Sequence, residues 1–182
     1  MVLRGAIMRI ILILALVIGS SPQTKWKYEL VKDPMNDSSR SVLSLSAEAP
    51  IDGKTPELVI RCPHPDTKKD IWGKKHIVGG NAEVYVVTGW PVHGGSAHAL
   101  RVRLDDQKPI TDRWIDSEDL GAVFHDTITV KGQVQFIQRV AAAHKMLFEF
   151  TPYLGTPKVA EFDVTGLDAL LPKMYEACEW PK

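Results

Sequence analysis

From Ser41 to Ala47 the chain alternates with period two. Leu43, Leu45 and Ala47 fall on one side and Ser44 and Ser46 on the other, as in a half-buried strand. The pattern recurs downstream. Glu57 to Cys62 sets Leu58, Ile60 and Cys62 on one face, and Glu83 to Thr88 is β-branched and aromatic, which suits a more fully buried strand. Ala99 to Asp105 points Leu100, Val102 and Leu104 inward and Arg101, Arg103 and Asp105 outward. Gly- and Pro-containing loops are expected at Pro50–Pro56, Pro63–Asn81 and Trp90–Ser96.

In the last third the period changes. Gln133 to Ala143 gathers Phe136, Ile137, Val140 and Ala141 on one side, which predicts a short amphipathic helix. Lys145 to Thr151 alternates again through Met146, Phe148 and Phe150, and Lys158 to Val164 through Ala160, Phe162 and Val164. With the turn Leu154-Gly155-Thr156-Pro157 between them, these form a hairpin. Thr165 is placed to cap a second helix, with Asp168 completing an approximate capping box. Pro172 lies too deep for a clean start, so that helix either kinks there or begins there. The expected fold is α+β: a mainly antiparallel, sandwich-like β-structure with two short helices in the C-terminal third.

The N-terminus has a different character. Arg4 and Arg9 precede the apolar run Ile10 to Ile18, which is followed by Gly19-Ser20-Ser21. Such a run is too short for a membrane span, which needs about 20 residues, and its flanks are those of a secretory signal peptide. Residues 1–20 are therefore read as a signal peptide cleaved after Gly19 or Ser20, and 21–182 as a single α+β domain without an integral membrane span. A retained N-terminal anchor is the alternative. No cysteine follows the run, so a lipoprotein anchor is not indicated. The expected location is periplasmic or secreted.

Over all 182 residues, 22 Lys+Arg balance 22 Asp+Glu and 45% of positions are hydrophobic. This is globular composition, neither disordered nor collagen-like, and the absence of a basic excess argues against nucleic acid as a partner. Loss of Arg4 and Arg9 with the leader makes the mature chain slightly acidic, at about −2. Export also frames the two cysteines. Cys62 ends a strand on its apolar face, and Cys178 lies on the helical stripe Leu167, Leu170, Leu171, Met174, Tyr175. In an oxidising compartment the pair is read as one disulfide, with two separate buried thiols as the alternative.

Candidate chemistry is sparse. His64, His76, His93, His98, His125 and His144 form no H-E-x-x-H and have no cysteine at finger spacing. They are read as loop or surface histidines, His144 as half-buried beside a helix, and no metal is assigned. Asp33, Asn36 and Asp37 cap turns more readily than they bind calcium, since no EF-hand Gly or Glu follows. There is no G-x-S-x-G elbow, and Gly79-Gly80 and Gly94-Gly95 lack the partners of a phosphate loop. Asp105-Asp106, Asp116 and Glu118-Asp119 are read as solvated carboxylates rather than a glycosidase pair. Catalytic residues and cofactors are expected to be none.

Two features suggest binding. Lys68, Lys69, Lys74 and Lys75, with Trp72 among them and His76 beside them, make a basic loop suited to an anionic envelope surface or a partner. The outward Arg101, Arg103 and Asp105, with Trp114 downstream, form an arginine–aromatic face of the kind enriched at interfaces.

Finally, Phe162-Asp163-Val164-Thr165-Gly166-Leu167 and Cys178-Glu179-Trp180 close the chain. Upstream, in order, stand Trp26, Asp33-Pro34-Met35-Asn36-Asp37, Leu58-Val59-Ile60-Arg61-Cys62, Arg103-Leu104-Asp105, Trp114, Ser117 and Phe148-Glu149-Phe150-Thr151-Pro152-Tyr153. This succession resembles the VasI/TagO-type proteins associated with type VI secretion. The Lys-rich segment Pro63–Asn81 and the second Gly/His loop depart from it. The resemblance implies a soluble periplasmic accessory protein, partnered by an envelope or secretion-system protein and without a known reaction. A secreted inhibitor or immunity-type binder of an envelope-active enzyme is the alternative reading, and a cell-wall or sugar hydrolase the third.

Overall fold

The computed structural model describes residues 24–32, 39–62, 66–69, 75–78, 82–92, 97–127 and 129–180. The strands are β1 (Lys27–Lys32), β2 (Ser39–Ser46), β3 (Glu57–Arg61), β4 (Asp66–Lys69), β5 (Lys75–Val78), β6 (Glu83–Val87), β7 (Ala97–Leu104), β8 (Ile110–Asp116), β9 (Ala122–His125), β10 (Lys145–Phe150) and β11 (Lys158–Asp163). The helices are α1 (Val130–Ala141) and α2 (Leu167–Cys178). Nine of the strands make one sheet in the order β1-β2-β3-β6-β9-β8-β7-β10-β11, and β4 and β5 make a separate ribbon. Every pairing is antiparallel.

Register follows the alternation of apolar residues. Leu45, Leu58, Val86 and Val123 stand directly opposite one another across four successive strands, and all are buried. On the other wing Val102 faces Phe148, which faces Ala160. A slip of one residue would turn each of these rows out to solvent, so the buried face holds the register. The sheet bends until its two ends meet. Glu48 N–H donates to Glu161 O at 2.8 Å, the Trp26 indole donates to Val164 O at 3.2 Å, and Lys25 Nζ lies 2.9 Å from Glu48 and 3.2 Å from Asp163. The sandwich-like core is thus enclosed by one continuous sheet facing itself.

α1 covers that core with Val134, Phe136, Ile137 and Val140. It starts earlier than its apolar stripe indicates, because Thr129 Oγ1 caps it by accepting from Gly132 N–H at 3.0 Å. The start of α2 corrects the sequence reading. Its N-cap is Gly166 at φ 85°, with no side-chain cap, so the Thr165–Asp168 capping box does not form. Instead, Thr165 N–H donates to the Asp163 carboxylate and its hydroxyl donates to His144 O. Of the two readings at Pro172, the start there is excluded: α2 begins at Leu167 and runs through the proline. A disulfide joins Cys62, just past β3, to Cys178, the last residue of α2, with Cα atoms 5.4 Å apart. The expected Pro63–Asn81 loop contains the β4–β5 ribbon, with Lys68 opposite His76 and Lys69 opposite Lys75. Among the described residues no helix is long and apolar enough to cross a membrane.

Candidate functional site

The outward face of β7 follows from its period. Leu100, Val102 and Leu104 are buried and Arg101 and Arg103 lie on the solvent side, as the alternation predicts. Arg101 stands directly opposite Glu149 of β10 and binds it bidentately, at 2.7 and 2.6 Å from Nη2 and 3.0 Å from Nε. The fork geometry makes the pair rigid, although its exposure limits what it contributes to stability. Arg103 donates to Asp105 O at 3.1 Å and to Asp106 at 3.3 Å. Shallow hollows flank the Arg101–Glu149 pair. One, of about 450 Å³, is floored by Ala97, Ala99 and Thr111; the other, of about 190 Å³, is bordered by Pro109, Leu147 and Val159.

Asp105 and Trp114 do not belong to this face in the manner expected. Asp105 sits past the end of β7 in a left-handed conformation, φ 48°. Its carboxylate accepts from His144 N–H at 2.9 Å and Lys145 N–H at 2.8 Å, which ties the α1–β10 turn to the end of β7. Those two backbone bonds hold its carboxyl below the usual carboxylate range. Asp105 is a structural clamp.

Trp114 is wholly buried. It lies opposite His98 on one side and His125 on the other, inside the core, and packs edge-on against Phe148 and Phe136. The arginine–aromatic surface therefore loses its aromatic member.

Two histidines turn inward with that tryptophan, against the expectation of loop or surface positions. His98 Nε2 lies 2.7 Å from Asp116, and the His98 ring is almost fully buried. His125 stacks on Phe136 at 4.2 Å between ring centroids, its Nδ1 is 2.6 Å from Gln133 Oε1, and Gln133 Nε2 donates back to the His125 carbonyl at 3.3 Å. Asp112 Oδ2 is buried 3.6 Å from His125 Nε2 and 3.7 Å from Arg139 Nη2. The result is a row of His98, Trp114 and His125 across β7, β8 and β9, flanked along β8 by Asp116 and Asp112. A cleft of about 280 Å³ opens next to it, bordered by Glu83, Phe124, His125, Asp126, Thr129 and Gln133. His98 has the same parity as Leu100, Val102 and Leu104, so extending the alternation back to residue 98 would have placed it inside. His144 shows the opposite error, since its side chain is 84% exposed.

The basic segment is reached only in part. Lys68, Lys69 and Lys75 lie on β4 and β5, while Trp72 and Lys74 fall outside the described residues. Also outside are residues 1–20, the Asp33–Asp37 segment, His64 and His93. Among the described residues no group of three or more His, Cys, Asp or Glu side chains is placed to hold a metal ion.

His98, His125 and Asp105 are engaged by partners within the fold, and Arg101–Glu149 is one of several ion pairs presented to solvent, with Arg113–Asp126 and Lys158–Asp52 among the others. No family model matches the chain, and no curated protein matches it. A solved structure does: invasion associated protein B from Bartonella henselae superposes with a TM-score of 0.50 over 84% of this chain and 92% of that one, at 9% sequence identity. At that identity the likeness establishes a shared fold.

Proposed function

We propose that this chain is an exported binding protein of the cell envelope, acting through its outer surface and not by catalysis. One observation carries the reading. The residues most suited to proton transfer, His98, His125 and Asp105, are each engaged by partners of the fold, whereas Arg101 and Glu149 lie as a rigid charged pair on an open sheet face. The disulfide supports an oxidising compartment, hence export by the N-terminal leader to the periplasm or beyond. A fold shared with a protein named for association with invasion supports a role in contact with other molecules. The partner is an envelope or secretion-system protein, and service to a type VI secretion system rests on the motif resemblance. The inhibitor or immunity-type reading is favoured by the β10–β11 tip, where Tyr153 and Leu154 are 62% and 87% exposed.

The experiment is chemical cross-linking in whole cells, with wild type compared against Arg101→Glu and, separately, Leu154→Asp. A discrete adduct lost in Arg101→Glu assigns contact to the β7–β10 face, and one lost only in Leu154→Asp assigns it to the tip. No adduct from correctly exported wild type, or adducts indifferent to both changes, would sink the proposal.

A further inference from the structure

Two hairpins of the sheet carry a leucine in the left-handed region: Leu120 at φ 57° between β8 and β9, and Leu154 at φ 59° between β10 and β11. Turn hydrogen bonds fix both positions. Leu120 N–H donates to Ser117 O at 3.0 Å and Ser117 N–H to Ala122 O at 2.9 Å, so Leu120 fills the bulge site that closes such a turn. Gly155 N–H donates to Pro152 O at 2.9 Å, which makes Leu154 the third residue of its turn. Turns select Gly or Asn where φ is positive, because a larger side chain crowds the following carbonyl there. Each hairpin does have a glycine, but one position later, at Gly121 and Gly155.

Both leucines also face water, Leu120 at 46% and Leu154 at 87% exposure. Backbone and solvation penalties thus fall on the same two residues, and glycine or asparagine would relieve both. The tips are nevertheless held in place. The segment from Thr88 to Val92 clips to each of them: Thr88 and Gly89 N–H donate to Gly121 O at 3.0 and 3.1 Å, and Tyr153 N–H donates to Pro91 O at 2.7 Å. Thr88 Oγ1 braces that segment by donating to Trp90 O at 2.6 Å. The two tips therefore lie at one end of the sheet. Strain that the surrounding structure holds fixed concentrates at sites of recognition, and a side chain positioned in advance loses little freedom on binding.

We propose that Leu154 is an anchor that enters an apolar pocket on a partner protein, with Leu120 at the margin of the same contact. The inference rests on the reading of this chain as a binding protein and gives the β10–β11 tip its occupant. A single side chain on a convex turn matches a pocket and not a flat surface, and apolar anchors in pockets dominate protein interfaces. A lipid bilayer is the other apolar environment, but a leucine side chain is far shorter than a myristoyl chain, whose own membrane binding is only marginal. Nor do the lysines at this end offer charge to anionic lipid. Lys158 is paired with Asp52 at 2.9 Å, and Lys54 Nζ donates to Gly89 O and lies over the Trp90 ring.

The test has a stability arm and a contact arm. Leu154→Asn puts a residue that tolerates the left-handed region in place of the anchor, and it should melt about 2–4 °C above wild type. For contact, the photoreactive amino acid benzoylphenylalanine replaces Leu154 or, separately, Thr111 on the β7–β10 face of the intact exported chain. Irradiation in an envelope extract should give an adduct with another protein at position 154, which excess unlabelled wild type suppresses and excess Leu154→Asn does not. The proposal is overturned by a Leu154→Asn chain that melts at or below wild type, or by an adduct with the mass of two copies of this chain. Flotation of wild type on phosphatidylglycerol vesicles that Leu154→Asn abolishes would overturn it equally. An adduct at position 111 but not at 154 would refute the anchor and leave the outer-surface reading standing, whereas none at either position would remove both.

Discussion

Asp105 shows how much structural duty a single half-buried carboxylate carries here. Its oxygen holds two backbone N–H groups of the α1–β10 turn, and its own N–H donates to Lys145 O at 2.9 Å. Because those bonds favour the ionised form, the folded-state pKa lies below the ordinary value of about 3.9. The unfolded chain therefore binds the proton more tightly, and Asp105 contributes stability above its unfolded pKa that is lost as pH falls through the folded one. Urea unfolding of wild type and Asp105→Ala should differ most at neutral pH and converge as the pH falls through and below the ordinary carboxylate range. Parallel curves would show that the carboxylate charge is not what the turn uses. The outward position of Arg101 was legible from β7 alone, since its neighbours alternate without exception. Trp114 was not. On β8 its face is shared with Asp112 and Asp116, so the apolar signal that marks an inner face is diluted by carboxylates that find buried histidines as partners.

At the scale of elements, β2, β3, β7, β10 and β11 could be read from alternation and β6 from its β-branched and aromatic content, although only Val84 and Val86 of β6 are fully buried. β8 and β9 escaped because one mixes charge into its inner row and the other is only Ala122–His125 long. The start of α2 escaped for a different reason. A Thr followed by Asp at capping spacing competes with Gly166, and tertiary contact decides between them. Gly166 adopts φ 85°, and a Cβ built there would come within 2.8 Å of Thr24 Cβ, where the start of β1 crosses the end of β11. Gly166→Ala should therefore cost about 1–3 kcal/mol, part from the left-handed backbone and part from collision. Thr24→Gly removes the colliding atoms, so a double-mutant cycle should recover the collision share and leave the backbone share. Strict additivity of the two changes, measured by denaturant unfolding, would mean that the chain crossing does not constrain this helix start.

The order of strands in the whole molecule was beyond sequence pattern. β6 and β7 are consecutive in the chain, yet β9 and β8 lie between them, and alternation reports which face of a strand is buried but not its neighbour. The disulfide was legible, because both cysteines lie on apolar faces and so point into the same core. Its place explains its effect. Cys62 lies beside the first half of the sheet and Cys178 ends the last helix, so the bridge ties the two ends of the fold across a separation of 116 residues. In the chain-entropy account a loop of that length restricts the unfolded state by about 4–5 kcal/mol. The sheet ends also meet at Glu48–Glu161 and Trp26–Val164, so the native state keeps its closure without the bridge. Cys62→Ala combined with Cys178→Ala should then fold to the same spectrum as wild type but melt roughly 10–15 °C lower, as expected for a chain of this size. Reduction of wild type under native conditions should reproduce the shift. A variant that melts with wild type would show that the bridge restricts little in the unfolded chain, and one that cannot fold would show that the sheet does not close without it.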